Sequence, residues 1–149
     1  MPRQLTVMLL FGALASASCT SGAERAAADK VKVFQERADA GRLAEIRQEY
    51  KPDVIGWEKW MERRHQQLGR LQRTANAQVD DNALKYGVLW MWYNSEFEHG
   101  QALEEFQFKV ENGDPRLISY GYHIGKKREC SPFGCKDVDV TGNSASLSR

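Results

Sequence analysis

Three side chains in this sequence are candidates for moving protons near neutral pH: His65, Glu96 and Glu104. His65 follows Arg63 and Arg64 and sits one helical turn from both Met61 and Leu68. An imidazole there can act as a general base because its pKa lies close to neutrality. The plainer reading is a solvated histidine at a helix edge. Glu96 shares strand parity with Trp90 and Trp92, and Glu104 with Phe106 and Phe108. A carboxylate buried among aromatic rings resists ionisation and can exchange a proton near neutrality. Both nevertheless lie near Glu98-His99-Gly100, a turn signal, and are expected at strand ends that water reaches. No more than weak catalytic candidates result.

The other reactive residues are cysteines. Cys130 and Cys135 enclose Ser-Pro-Phe-Gly, and Pro132 and Gly134 favour a reversal that brings the two sulfurs together. A local disulfide is expected. A metal site there needs two further ligands, and only His123 is close in sequence. His123 has opposite parity to Tyr120 and Tyr122, so it joins no constellation with them. No glycine-rich phosphate loop, Gly-x-Ser-x-Gly elbow or His-Glu-x-x-His helix occurs, and no cofactor is expected.

Aromatic residues are the more telling group. Trp57, Trp60, Trp90, Trp92, Phe106, Tyr120 and Tyr122, with Tyr86, Tyr93 and Phe108, exceed what filling a small core demands. Most must be core. The surplus predicts a surface for a ligand or partner: a pocket for a small apolar molecule, or an outer sheet face that packs on a second copy or another envelope protein.

Cys19 stands apart. Met1 to Ser18 comprise a start bearing Arg3, an apolar run from Leu5 to Ala15 and small residues after it, the three parts of a secretory signal. The run is too short for a spanning helix, which needs about 20 apolar residues. Two cleavage readings stand. Ala15-Ser16-Ala17 suits an ordinary signal peptidase, whereas Ala17-Ser18-Cys19 followed by Thr-Ser-Gly resembles a bacterial lipobox, in which Cys19 becomes the lipidated first residue. Ser16 departs from that motif, where an aliphatic residue is usual. The chain is expected to be exported, and either periplasmic or tethered to the membrane through a lipid on Cys19. Export also places Cys130 and Cys135 where disulfides persist.

The signal contains Arg3 and no acid, so its removal leaves equal numbers of basic and acidic residues. Balanced charge gives no long-range attraction to nucleic acid or to anionic lipid, and neither is expected as a partner. The run Lys59, Arg63, Arg64, Arg70, Arg73 is interleaved with Glu58 and Glu62, which reads as solvated pairs on a helix. At 149 residues, 42% hydrophobic and 28% charged, the chain has material for one folded domain.

The elements that position these residues follow from periodicity. Ala27, Val31, Phe34 and Ala38 recur at three- and four-residue spacings, one stripe of a helix from Glu24 to about Ala40. Gly41 breaks it. Leu43, Ile46 and Tyr50 carry a shorter helix that ends before Pro52. Trp57, Trp60, Met61, Arg64, His65 and Leu68 predict a third, from about Gly56 to Leu68 and closed by Gly69. Beyond Gly69 the period becomes two. Strands are expected at Leu71–Val79, Lys85–Phe97, Gln101–Glu111 and Leu117–Ile124, with Asn112-Gly113 a hairpin signal lengthened by Asp114-Pro115. Both faces of the second strand are apolar, so it should be covered on two sides. Lys136–Arg149 lacks apolar periodicity and is expected as a mobile tail. The organisation is a signal peptide over 1–18, a linker over 19–26, an α+β domain over 27–129, and a disulfide loop with a flexible tail over 130–149.

This order of elements, with Glu104-Glu105-Phe106-Gln107-Phe108 and Ile118-Ser119-Tyr120-Gly121-Tyr122-His123-Ile124, resembles small exported bacterial proteins of unknown function. The resemblance covers about Ala27 to Ile124. It implies a nuclear transport factor 2-like (cystatin-like) cone, the ketosteroid isomerase type, in which a curved antiparallel sheet of about four strands wraps N-terminal helices. That fold type serves isomerases, dehydratases, binding modules and interaction domains alike, so it selects no activity. The expectation is an envelope protein that interacts with other proteins and is not an enzyme. Binding of a small apolar ligand in the cone, and isomerase or dehydratase chemistry, are the alternatives.

Overall fold

A computed structural model describes residues 21–141; the signal segment, Cys19 and the last eight residues lie outside the described part. Three helices come first: α1 (Gly22–Asp39), α2 (Leu43–Tyr50) and α3 (Trp57–Leu68). Ser21 caps α1 by accepting a hydrogen bond from the Glu24 amide at 3.2 Å. The expected stripe of α1 is buried, together with Gln35. α2 stops at Lys51, which is left-handed, with Pro52 behind it. No described helix is long and apolar enough to cross a membrane.

The helices pack on a four-stranded antiparallel sheet of β1 (Leu71–Asp80), β2 (Val88–Phe97), β3 (Gly100–Glu111) and β4 (Asp114–Ile124), ordered as in the chain. The fold is α+β. Along β2, Leu89, Met91, Tyr93, Ser95 and Phe97 are buried on the helix side, while Trp90, Trp92, Asn94 and Glu96 are half-buried on the other. A short 3-10 turn, Leu84–Tyr86, precedes β2, so Tyr86 is not a strand residue and is largely exposed.

Two strand details differ from the sequence expectation. Asn112 and Gly113, both at positive φ, close a two-residue turn in which Glu111 pairs with Asp114, and Asp114-Pro115 belongs to the strand rather than the loop. Pro115 is tolerated because β4 is an edge strand. A bulge then shifts the register between Gln107 and Phe108, setting Phe108 opposite Leu117 and Gln107 opposite Ser119. Ile118 is the extra residue and is exposed, while Leu117 packs against the core.

Residues 136–139 of the expected mobile tail instead lie in a strand. β5 (Lys126–Ser131) and β6 (Gly134–Asp139) form a hairpin closed by the Cys130–Cys135 disulfide. Its strands hold together by opposed charges rather than apolar pairs: Lys126 with Asp139 and Arg128 with Asp137, each at 2.7 Å. The hairpin folds back on the outer sheet face. Asn94 donates to the Arg128 carbonyl at 2.9 Å and accepts from its amide at 2.7 Å, as a neighbouring strand would. The Arg128 guanidinium lies 4.3 Å from the Trp92 ring centroid and donates to Gln78. Part of the cover expected for the second face of β2 is therefore the chain itself.

Candidate functional site

Five elements each deliver one polar side chain to the middle of the helix–sheet interface, and edge strand β1 adds Thr74 from its exposed side. Gln35 comes from α1, Arg64 from α3, Ser95 from β2, Glu104 from β3 and Tyr120 from β4. Glu104 is the hub and is completely buried. One carboxylate oxygen accepts from Arg64 Nη2 at 2.7 Å and the Tyr120 hydroxyl at 2.6 Å. The other accepts from Gln35 Nε2 and Ser95 Oγ, both at 2.6 Å. Since the Ser95 proton goes to Glu104, Ser95 accepts from Thr74 at 2.9 Å, and Thr74 in turn accepts from Gln35 at 3.3 Å. The donors form a closed ring around one anion.

Aromatic rings wall this cluster. The Arg64 guanidinium lies 4.8 Å from the Phe97 ring centroid, and Tyr120 packs on Phe34 and Phe106 at 4.5 and 4.9 Å. Arg64 is held in its charged form by the Glu104 carboxylate, which outweighs the cost of its burial. Burial pushes the Tyr120 hydroxyl well above its usual range, with Arg64 opposing and Glu104 adding to the rise. The carboxylate has two donors on each oxygen and no exposed surface, so no lone pair is left to take a substrate proton. The cluster is a polar core. Compared with known proteins, the chain matches no family model, no curated protein and no solved structure.

The other sequence candidates are not brought to this place. His65 is exposed on α3 beside a shallow cleft with Leu43, Met61 and Gln66. Glu96 lies on the outer sheet face, paired with Arg73 at 2.6 Å. Glu104 is the one whose setting differs most from expectation: opposite β2 and under α3, it sits beneath the helices instead of at a wet strand end. Among the described residues no group of three His, Cys, Asp or Glu is placed to hold a metal.

The aromatic residues divide by location. Trp57, Phe106 and Tyr120 are buried in the core and offer nothing to a partner. Trp60 and Tyr122 are half-buried and pack on each other at 4.6 Å. Trp90 and Trp92 lie parallel on the outer face, 5.9 Å apart, and Trp92 donates its indole N–H to Glu105 at 2.9 Å. Arg64, Gln35, Thr74 and Ser95 were absent from the sequence candidates. Arg64 carried a signal, being four residues before Leu68 and seven after Trp57 on the buried stripe.

Buried tyrosines make stability depend on alkaline pH. Burial pushes Tyr93 from its usual 10.0 up to about 12, and Tyr120 moves in the same direction. Folding keeps both protonated, so their contribution is complete below pH 10.0 and is lost as pH climbs through the folded-state values. In an alkaline titration, unfolding by circular dichroism is expected to begin above pH 10.0 and to coincide with tyrosinate absorbance. Full tyrosine ionisation in a still-folded domain would contradict this.

Proposed function

We propose that this chain is an exported, non-enzymatic protein of the cell envelope, tethered through Cys19, whose domain has the cone layout of the nuclear transport factor 2-like type and binds another protein. One observation carries the reading: Phe133 is 100% exposed at the tip of the disulfide-closed hairpin. A bare phenylalanine costs solubility, and one held on a covalently closed turn loses little conformational freedom when it enters a partner's pocket. Aromatic anchors of this kind dominate interface energies. The saturated, sealed carboxylate in the core speaks against the isomerase alternative. Phe34, Phe106 and Tyr120 in mutual contact leave the centre of the sheet no room for an apolar ligand.

The test is a photoreactive phenylalanine analogue at position 133, with Gln66 on the exposed side of α3 as the control position. Irradiated in cells, the variant at 133 is expected to give a discrete adduct in the envelope fraction, either a dimer or a second protein. The control should give none. Absence of an adduct at 133, or the same adducts from both positions, refutes the reading.

A further inference from the structure

Away from the hairpin, α1, α2 and the start of β4 enclose a cleft of about 260 Å³. Its size is close to the lower end of small-molecule sites, roughly 300 Å³. Phe34 and Ile46, both buried, form the floor with Leu117 and Tyr50. The rim is charged: Lys30, Arg37 and Arg116 against Glu49 and Asp114. Most of these charges are already matched. Lys30 pairs with Asp114 at 3.0 Å, and Arg37 with Glu49 at 2.8 Å and Glu45 at 3.3 Å.

Two groups at the rim lack an acceptor among the described residues, and both are donors. Arg116 is exposed and makes no ion pair among the described residues; the carboxylate it influences, Glu111, is held at 2.6 Å by Lys109. The Tyr50 hydroxyl accepts from the Tyr120 amide at 3.1 Å, which fixes its oxygen and leaves its proton without a partner. We propose that this cleft binds a small amphipathic carboxylate, its apolar body on Phe34, Ile46 and Leu117 and its anionic head between Arg116 and the Tyr50 hydroxyl. Burial raises the Tyr50 pKa, so the phenol stays protonated and able to donate. A cationic head of equal length would meet a guanidinium that makes no ion pair and be repelled. The site is independent of the partner surface at Phe133.

Octanoate, octylamine and acetate serve as probes, titrated into the full mature chain and followed by backbone amide NMR. Octanoate is expected to give saturable shifts at Phe34, Ile46 and Leu117, octylamine none there, and acetate far weaker ones because it lacks the apolar body. Arg116→Glu changes an exposed residue, and its unchanged circular dichroism will show that it folds. It should weaken octanoate by about tenfold or more, the scale of one charge-assisted hydrogen bond. Tyr50→Phe should weaken it a few-fold. The proposal is overturned if octanoate leaves the cleft unshifted, if octylamine binds there as well, or if Arg116→Glu binds octanoate as tightly as the parent.

Discussion

Glu104→Ala is expected to cost the domain about 3–5 kcal/mol, measured by urea denaturation, because it strands a buried guanidinium. Arg64 is 2% exposed and its charge cannot be given up, since no site in a protein deprotonates arginine. The alanine also removes the acceptor of the buried Tyr120 and Ser95 hydroxyls and the shorter of the two acceptors of Gln35. Arg64→Met is expected to cost less. It leaves Glu104 with those three neutral donors, and a carboxylate, unlike a guanidinium, can take a proton when its counterion goes. A typical domain is stable by about 5–15 kcal/mol, so the Glu104 change consumes much of the total. A loss below about 1 kcal/mol, or an Arg64→Met variant less stable than Glu104→Ala, would mean that the ring of donors does not act as described.

Strand parity alone placed Glu104 with Phe106 and Phe108, and the structure keeps that face. What parity could not supply was depth. Depth comes from α1 and α3, which bring Gln35 and Arg64 onto Glu104, and the only sequence trace of α3's part was an arginine on an apolar stripe. Gln35 had even less to announce it, because amides are common on both sides of a helix. Ser95 and Thr74 are legible only after the β1–β2 register is known, since they meet as a cross-strand pair. Helices and the first four strands were legible because they follow apolar periods of about 3.6 and 2. The β5–β6 hairpin was not, because its pairing code is charge against charge: Glu129 opposite Lys136 and Arg128 opposite Asp137. Its disulfide was readable from a short Cys–Cys spacing with turn residues between.

The hairpin changes what the aromatic surplus means. Trp90 and Trp92 looked like one surface asking for one partner, yet Arg128 already stacks on Trp92 and Asn94 holds the hairpin's backbone there. By occupying that end of the sheet the chain moves its exposed aromatic group outward to Phe133, beyond the sheet and on a covalently closed tip. A flat apolar face invites nonspecific association. On the proposed reading, a single ring on a closed turn would select a partner with a matching pocket.

Gly69→Ala is the second large loss, expected at about 3 kcal/mol, from backbone strain of about 1–3 kcal/mol added to overpacking of similar size. Gly69 joins α3 to β1 at φ 73° and ψ −154°, a region essentially closed to side chains with a Cβ. A Cβ there would lie 2.7 Å from Glu98 Oε2 and 2.9 Å from Glu98 Cβ. Glu98 cannot simply swing away, because its carboxylate accepts from the Arg70 amide and its own amide donates to the Arg70 carbonyl, both at 3.0 Å. His99 is held likewise, donating to the Leu68 carbonyl at 2.9 Å. Relief must come from moving the end of α3 relative to the β2–β3 turn. That motion pulls Arg64, on the last turns of α3, away from Glu104 on the sheet, so the strain should reach the buried ion pair. Thermal unfolding of Gly69→Ala and Glu104→Ala, singly and together, will show it: the double variant should lose less than the sum of the two single losses. Strict additivity would separate the joint from the cluster and refute the coupling.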